Sequence, residues 1–205
     1  MKKFFYSLIC VGALSQALFS ANFAHVDYDY SNLKYDGVKI RANSFGLGID
    51  TFKLSDSDSS IVFKGDYKYS KVKNKDNGDK AKVNDFNAML GYSFYLPNSV
   101  ANSSVNFLAG FGYFNLKDDD NSEGSFSAKV GVNNMNVFNN NVYLSLGAFA
   151  THYFDYDFDT RTKYEANLGL GYIFDGGVYA GAKLGYEKGI LGKGSVTGVV
   201  LGYSF

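Results

Sequence analysis

The chain has 205 residues, a length typical of one domain, and its 20 Lys and Arg residues balance 20 Asp and Glu residues. It contains 23 Gly, 17 Tyr and 19 Phe but one Pro and no Trp, which favours an aromatic-rich β-sheet protein over a helical bundle. The absence of a basic surplus excludes the strongly positive field of a nucleic-acid-binding protein.

Residues 1–24 predict a cleaved signal peptide. Lys2 and Lys3 provide the charged start, residues 4–18 the apolar run, and a small-residue region allows cleavage after Ser20 to Ala24. The one cysteine of the chain lies inside the apolar run, so residues 25–205 contain no thiol and no disulfide. Loss of the two lysines leaves a net charge of −2, from 18 basic and 20 acidic residues.

Ten segments that alternate apolar and polar residues follow the signal peptide. They cover residues 24–30, 45–49, 61–69, 86–96, 105–113, 126–132, 142–150, 164–174, 178–186 and 195–205. Period-two alternation predicts β-strands with one apolar face. Ten is an even number, as in single-chain bacterial barrels. Eight strands remain the alternative if the weak first hairpin is only an excursion of the chain.

The linkers between these segments alternate in character. Charged linkers over 71–83, 117–124, 154–162 and 188–194 predict long loops at one end, and 53–59, 97–102 and 175–177 predict short turns at the other. The Asn-rich stretch 133–141 is the exception. Val38 and Ile40 lie on the opposite parity from Phe45, which predicts a bulge near Asn43.

The last segment carries Val199, Leu201, Tyr203 and Phe205 on one face and mostly small residues on the other. It resembles the C-terminal signature of outer-membrane β-barrels, which the barrel-assembly machinery reads, and we expect these four residues to form the assembly signal. The same pattern would also fit a buried strand that ends a soluble sandwich.

Three features favour the membrane barrel over the sandwich. Several apolar segments reach the roughly 9–11 residues of a tilted membrane-spanning strand, whereas soluble strands average about 5–6. Aromatic residues such as Tyr164, Tyr172 and Phe174 lie at segment ends, as in interfacial girdles. The signal peptide directs the chain to export. The fold expected is therefore an all-β, antiparallel, up-and-down transmembrane barrel.

At the level of pattern, nearly the whole mature chain resembles the small outer-membrane barrel families of the opacity-protein and OmpA-barrel type. The C-terminal signature is the one specific motif. The resemblance implies a location in the bacterial outer membrane, reached through the periplasm. It also implies contact with outer-membrane lipid and lipopolysaccharide.

The polar face of the strands predicts a lumen filled by charged residues of both signs that satisfy one another. The candidate network comprises Lys64, Asp66, Lys68, Asp85, Lys129, Glu165, Lys183 and Glu187. Large inward residues, among them Phe114, Tyr143, Phe149 and Tyr179, predict an obstructed lumen rather than a wide porin.

Catalytic and metal sites find weak support. Of the two histidines, His25 lies at the expected periplasmic end. His152 lies near Asp155 and Asp157 but on the lipid-facing parity, and no Ser or Asp is two residues from it, as the motifs of membrane-embedded hydrolases require. Asp119, Asn121 and Glu123 match the first positions of a calcium loop, but its twelfth position, Val130, is no ligand. No cofactor and no metal site is therefore expected.

We expect a monomeric, non-enzymatic barrel whose outer loops contact a surface or a host ligand. A narrow channel for ions or small solutes is the alternative, and a lipid A-modifying enzyme or protease is less favoured. The Lys-rich stretch 71–82 suits either contact with lipopolysaccharide or simple solvation.

Overall fold

The computed structural model of the protein describes residues 21–52, 60–97, 100–118, 121–154 and 161–204. These residues form ten strands of 12 to 18 residues. In chain order the strands are β1 (Ala21–Tyr35), β2 (Val38–Phe52), β3 (Ser60–Asn74), β4 (Lys80–Pro97), β5 (Ala101–Lys117), β6 (Ser122–Phe138), β7 (Val142–Tyr153), β8 (Thr162–Ile173), β9 (Val178–Gly189) and β10 (Gly192–Ser204). No helix in this part of the chain is long and apolar enough to cross a membrane.

The strands close into one antiparallel barrel in which each strand pairs with its neighbours in sequence. Closure is made by β1 and β10, with Val26 opposite Leu201 and Tyr28 opposite Val199. This pairing removes both free edges of the sheet. The prediction of a ten-stranded barrel is confirmed, and the eight-stranded alternative is wrong.

Successive side chains point alternately to the wall and to the lumen. On β10, Val199, Leu201 and Tyr203 face outward, with exposed fractions of 59%, 54% and 48%. Inward residues are covered instead, as Met89 at 1% and Phe114 at 3% show. A belt of large apolar side chains thus surrounds a filled interior, the arrangement of a barrel in lipid.

The strands extend further than the apolar alternation predicts. β3 continues to Asn74 and β4 starts at Lys80, so the predicted linker 71–83 shrinks to residues 75–79. β6 likewise continues to Phe138, which leaves residues 139–141 between β6 and β7. Beyond the apolar belt the alternation inverts, because the outward residues Lys71 and Lys73 are charged and the inward residue Val72 is apolar. An outward apolar row therefore no longer marks the strand.

The predicted contrast between long and short connections is wrong, because the connections have 2 to 8 residues at one end of the barrel and 3 to 7 at the other. The end that holds the turns 36–37, 75–79, 118–121, 154–161 and 190–191 is called distal below. The opposite, proximal end holds the start of β1, the end of β10 and the connections 53–59, 98–100, 139–141 and 174–177. Asp36 and Gly37 form a two-residue hairpin turn with φ of 43° and 88°, because a type I′ turn requires positive φ at both positions.

The bulge predicted near Asn43 is also wrong. β2 keeps an unbroken register with β1 and with β3 through this region. Ile40 and Ala42 instead face the lumen and pack into an apolar cluster there. Their parity differs from that of Phe45 because they close the barrel interior, whereas Phe45 faces the surroundings.

Some predictions fall outside the described residues. These are most of the signal peptide (residues 1–20), Asp119 of the calcium loop, and Phe205 of the assembly signal. Within the described part, Phe23 is buried against Tyr179. Cleavage after Ser20 retains this contact, and cleavage after Ala24 removes it.

Candidate functional site

The interior of the barrel has three layers, beginning with an apolar cluster at the distal end. This distal cluster consists of Ala42, Val72, Val83, Phe114, Tyr153 and Ile190, with Ile40, Ala81, Leu116 and Leu191 packed against it. The rings of Phe114 and Tyr153 meet edge to face at 5.2 Å. Both side chains are at most 3% exposed, so little room remains between them for solvent.

A second apolar cluster closes the proximal end. This proximal cluster consists of Phe23, Met135, Tyr143 and Tyr179. Tyr179 is central, because the centroid of its ring lies 5.6 Å from that of Phe23 and 5.7 Å from that of Tyr143. The tyrosine rings cross the lumen over glycines on neighbouring strands. An added Cβ at Gly202, for example, would lie 2.5 Å from the Tyr179 ring.

Charged side chains fill the layer between the two clusters. Asp29 is the most deeply placed of these, with 1% of its side chain exposed. Its Oδ2 lies 2.7 Å from Lys68 Nζ, and its Oδ1 lies 2.8 Å from Lys183 Nζ. Lys183 also contacts Asp27 Oδ2 at 2.6 Å. Two ammonium groups thus compensate one buried carboxylate, as burial of a charge requires.

A second charged group spans β6, β8 and β9. Glu165 accepts contacts from Lys129 Nζ at 3.3 Å and from Lys163 Nζ at 3.0 Å. Lys163 Nζ also lies 3.6 Å from Glu187 Oε2. Lys129 Nζ is in addition 5.2 Å from the centre of the Phe149 ring, within cation–π range. These alternating signs form a continuous network across the lumen.

A third charged group joins β1, β2 and β3 nearer the proximal cluster. Lys64 Nζ donates to Asp50 Oδ1 at 2.5 Å, and His25 Nδ1 lies 3.8 Å from Asp50 Oδ2. A different arrangement serves two further carboxylates on β3 and β4. The side-chain amide of Asn87 donates to Asp66 at 2.9 Å and to Asp85 at 3.1 Å.

The structure places all eight residues of the candidate network on the lumen side, and each has a polar partner there. Asp50, Asn87 and His25 also face the lumen in this layer and were not predicted as members of the network. Asp50 shares the parity of Gly46 and Gly48, and that signal would have found it. Asn87 shares the inward parity of Asp85, and its two hydrogen bonds follow from its position opposite Asp66 on the neighbouring strand.

A cavity of about 210 Å³ lies within the charged layer. Its lining includes Asp27, Lys64, Lys129, Glu165 and Lys183, with Phe23, Tyr143 and Tyr179 at the proximal side. A smaller cavity of about 40 Å³ lies between the charged layer and the distal cluster. Polar spaces of this size hold ordered water. The proximal-cluster residues Phe23, Met135, Tyr143 and Tyr179 line the larger cavity, and the distal-cluster residues Ala42, Val83, Phe114, Tyr153 and Ile190 line the smaller one.

The two histidines occupy unrelated places. His25 belongs to the charged layer, beside Asp50. His152 lies on the outer wall, where its Nδ1 is 3.1 Å from Thr162 Oγ1 and its ring packs on Phe154. Of the calcium-loop residues, Asn121 lies in the β5–β6 turn, and Glu123 is the second residue of β6. Over the described ranges, no group of His, Asp or Glu residues is placed to hold a metal ion.

Solved structures share this fold, whereas no protein-family model and no curated protein sequence matches the chain. The β domain of the Bordetella autotransporter Brka gives a TM-score of 0.50 at 11% identity and covers 89% of this chain and 98% of that one. The translocator domain of the autotransporter NalP from Neisseria meningitidis gives 0.49 at 16% identity, with coverages of 98% and 95%. The N-terminal β-barrel of Pseudomonas aeruginosa OprF gives 0.40 at 15%, with coverages of 92% and 99%.

Likeness at these identities concerns the fold alone, the closed antiparallel barrel of bacterial outer-membrane proteins. The narrower resemblance to the opacity-protein and OmpA-barrel families stays a prediction.

Proposed function

We propose that the chain is a closed, non-enzymatic β-barrel of the bacterial outer membrane that contacts its surroundings through its distal end. The observation that carries this proposal is the apolar cluster packed inside the lumen near each end. A charged layer held between two such clusters stabilises a wall but gives ions no open route. The interior therefore favours a structural role over transport.

The outward belt supports the membrane location. Phe111, Phe126 and Leu90 have exposed fractions of 73%, 64% and 60% and belong to a continuous band around the barrel. Soluble monomers rarely expose contiguous apolar patches larger than a few hundred Å². A barrel in lipid needs such a band, because its outer face meets hydrocarbon.

The strand lengths support a role at the cell surface. β3 to β6 have 15 to 18 residues, and a tilted strand crosses the hydrocarbon core with about 9–11. These strands therefore extend beyond the hydrocarbon core at the distal end, where they are joined by the turns 75–79 and 118–121. The exposed polar side chains of residues 75–79 are available to a surface ligand.

A narrow channel is the second candidate function, because the 210 Å³ cavity has a charged lining. Such a channel would require the distal and proximal clusters to part. Conduction in planar bilayers separates the two functions directly.

The test uses the full mature chain, refolded into planar bilayers, and a Phe114→Ala/Tyr153→Ala variant of the distal cluster. We expect no steady current steps from the unmodified barrel and flickering openings from the variant only when the proximal ring Tyr179→Ala is also removed. Phe111→Ala, on the lipid-facing side of β5, is the matched control and should remain silent. Heat-modifiable gel migration confirms that each variant is folded.

Steady openings of the unmodified barrel that disappear when the charged layer is altered by Lys183→Gln would overturn the closed-barrel proposal in favour of the channel. Recovery of the protein as a soluble periplasmic species would overturn the membrane location itself.

A further inference from the structure

The outward face of the strands carries basic residues and no acidic ones within the described ranges. Every Asp or Glu of a described strand has the inward parity, whereas ten basic residues have the outward parity. These ten are all exposed and are called the basic collar: Lys34, Lys39, Arg41, Lys71, Lys73, Lys80, Lys82, Lys117, Lys188 and Lys193. All of them lie near the distal ends of their strands.

The register sets the residues of the basic collar directly against one another. Lys73 stands opposite Arg41 on β2 and Lys80 on β4. Lys82 stands opposite Lys71 on β3 and Lys117 on β5. A third row crosses the closure of the barrel, where Lys39, Lys34, Lys193 and Lys188 are successive partners on β2, β1, β10 and β9. Like charges directly opposite one another destabilise a sheet.

Among the described residues, no carboxylate forms a salt bridge with a residue of the collar, and the turn carboxylate of Asp76 accepts from the backbone N–H of Lys39. All the salt bridges found among the described residues involve His25 or the luminal lysines Lys64, Lys68, Lys129, Lys163 and Lys183. The crowding extends to the β3–β4 turn, where desolvation and the charges of Arg41 and Lys73 lower the pKa of Lys75. Over the described ranges, the basic collar is therefore a band of positive charge that no salt bridge offsets.

The position of the basic collar relative to the apolar belt indicates which layer of the membrane it faces. Tyr69 is two residues before Lys71 on the same face of β3, and Tyr186 is two before Lys188 on β9. Tyr30 and Tyr113 similarly precede Lys34 and Lys117 by four residues. Tyrosines at the end of an apolar belt mark the boundary between hydrocarbon and headgroups. The collar thus faces sideways into the headgroup layer of the distal leaflet.

We propose that the basic collar binds the phosphate groups of lipopolysaccharide packed around the barrel in the outer leaflet. The inference rests on the proposed outer-membrane location with the distal end at the cell surface, and it gives that location a lipid partner. Ammonium groups bind phosphate as point charges, and one row of three lysines spaced by neighbouring strands suits the several phosphates of a single lipid headgroup. A bound phosphate attracts each neighbouring ammonium group and so offsets the mutual repulsion of the lysines.

The test compares Lys73→Gln and Lys82→Gln, the central members of two separate rows, alone and combined, with Arg161→Gln. The control removes one positive charge from an exposed position outside the collar. Each full-length barrel is refolded into phosphatidylcholine vesicles with and without lipopolysaccharide, and the midpoint of heat-induced loss of the folded gel band is measured. Lipopolysaccharide should raise this midpoint for the unmodified barrel and the control, and the rise should fall to about half or less in the combined collar variant.

Two further arms fix the chemistry of the ligand. Lipopolysaccharide stripped of phosphate should lose the effect on the unmodified barrel, and high salt should weaken it. Equal rises in the combined collar variant and the control would overturn the proposal, as would full protection by a soluble acidic polysaccharide in vesicles without lipopolysaccharide. Folded barrel in plain phosphatidylcholine is read in every arm, so a failure of lipid binding remains distinct from a failure of the barrel itself.

Discussion

The lysines of the lumen and those of the basic collar are chemically identical and have opposite environments. Lys68 on β3 points inward to a carboxylate 2.7 Å away. Lys73, five residues further along the same strand, points outward between Arg41 and Lys80. The first charge is compensated by the fold, and the second is compensated only by what surrounds the barrel.

The two faces of the barrel wall therefore differ in how their charges are stabilised. The charges of the lumen are paired within the protein itself, because its carboxylates and ammonium groups contact one another and apolar clusters pack above and below them. The distal outer face is incomplete without an anionic partner. Substitutions inside should therefore act on stability in any lipid, whereas substitutions in the collar should act mainly through the lipid.

The largest effect is expected for Asp29→Asn. The change leaves the ammonium groups of Lys68 and Lys183 facing a neutral side chain in a buried layer, and breaking a buried ion pair costs about 3–5 kcal/mol. Equilibrium unfolding in phosphatidylcholine vesicles measures this loss. Asp76→Asn, in the exposed β3–β4 turn, is the control and should change the free energy of unfolding by at most about 0.5 kcal/mol. Equal values for the two variants would remove the contrast between lumen and surface.

The next largest effect is the difference in unfolding free energy between alanine variants of two phenylalanines on β5. Phe114→Ala opens a cavity in the distal cluster, where the ring is 3% exposed, and should cost about 3–4 kcal/mol. Phe111→Ala removes a ring from the lipid-facing wall, where lipid refills the space, and should cost only the transfer term of about 2 kcal/mol. The same unfolding measurement applies. A larger loss at Phe111 would place the main packing on the wall instead of in the lumen.

Much of this architecture follows from the sequence. Strict alternation over β4, β8 and β10 predicts the strands, their faces and the closing pair, because lipid and lumen impose opposite demands on neighbouring residues. The inward placement of Lys64, Asp66 and Lys68 follows from the same parity. The outward apolar row does not show where the strands end, since Lys71, Lys73, Lys80 and Lys82 replace it. The apolar residues Val72, Ala81 and Val83 alternate with these lysines on the inward parity.

The basic collar was missed for a related reason. Parity alone places Lys71 and Lys82 on the wall, but their opposition depends on the register between strands, which no local pattern carries. The contact between Lys183 and Asp27 joins residues 156 positions apart. Such pairs become visible only when β1 closes on β10.

The most direct test of the central comparison uses the two lysines of β3, each changed to glutamine. In phosphatidylcholine vesicles, Lys68→Gln should lower the free energy of unfolding by about 1–3 kcal/mol, because it removes a charged hydrogen bond to buried Asp29. Lys73→Gln should raise it slightly, by up to about 0.5 kcal/mol, because it relieves like-charge repulsion. Opposite signs are the result predicted by a compensated lumen and an uncompensated collar. A loss of stability in both variants would contradict it.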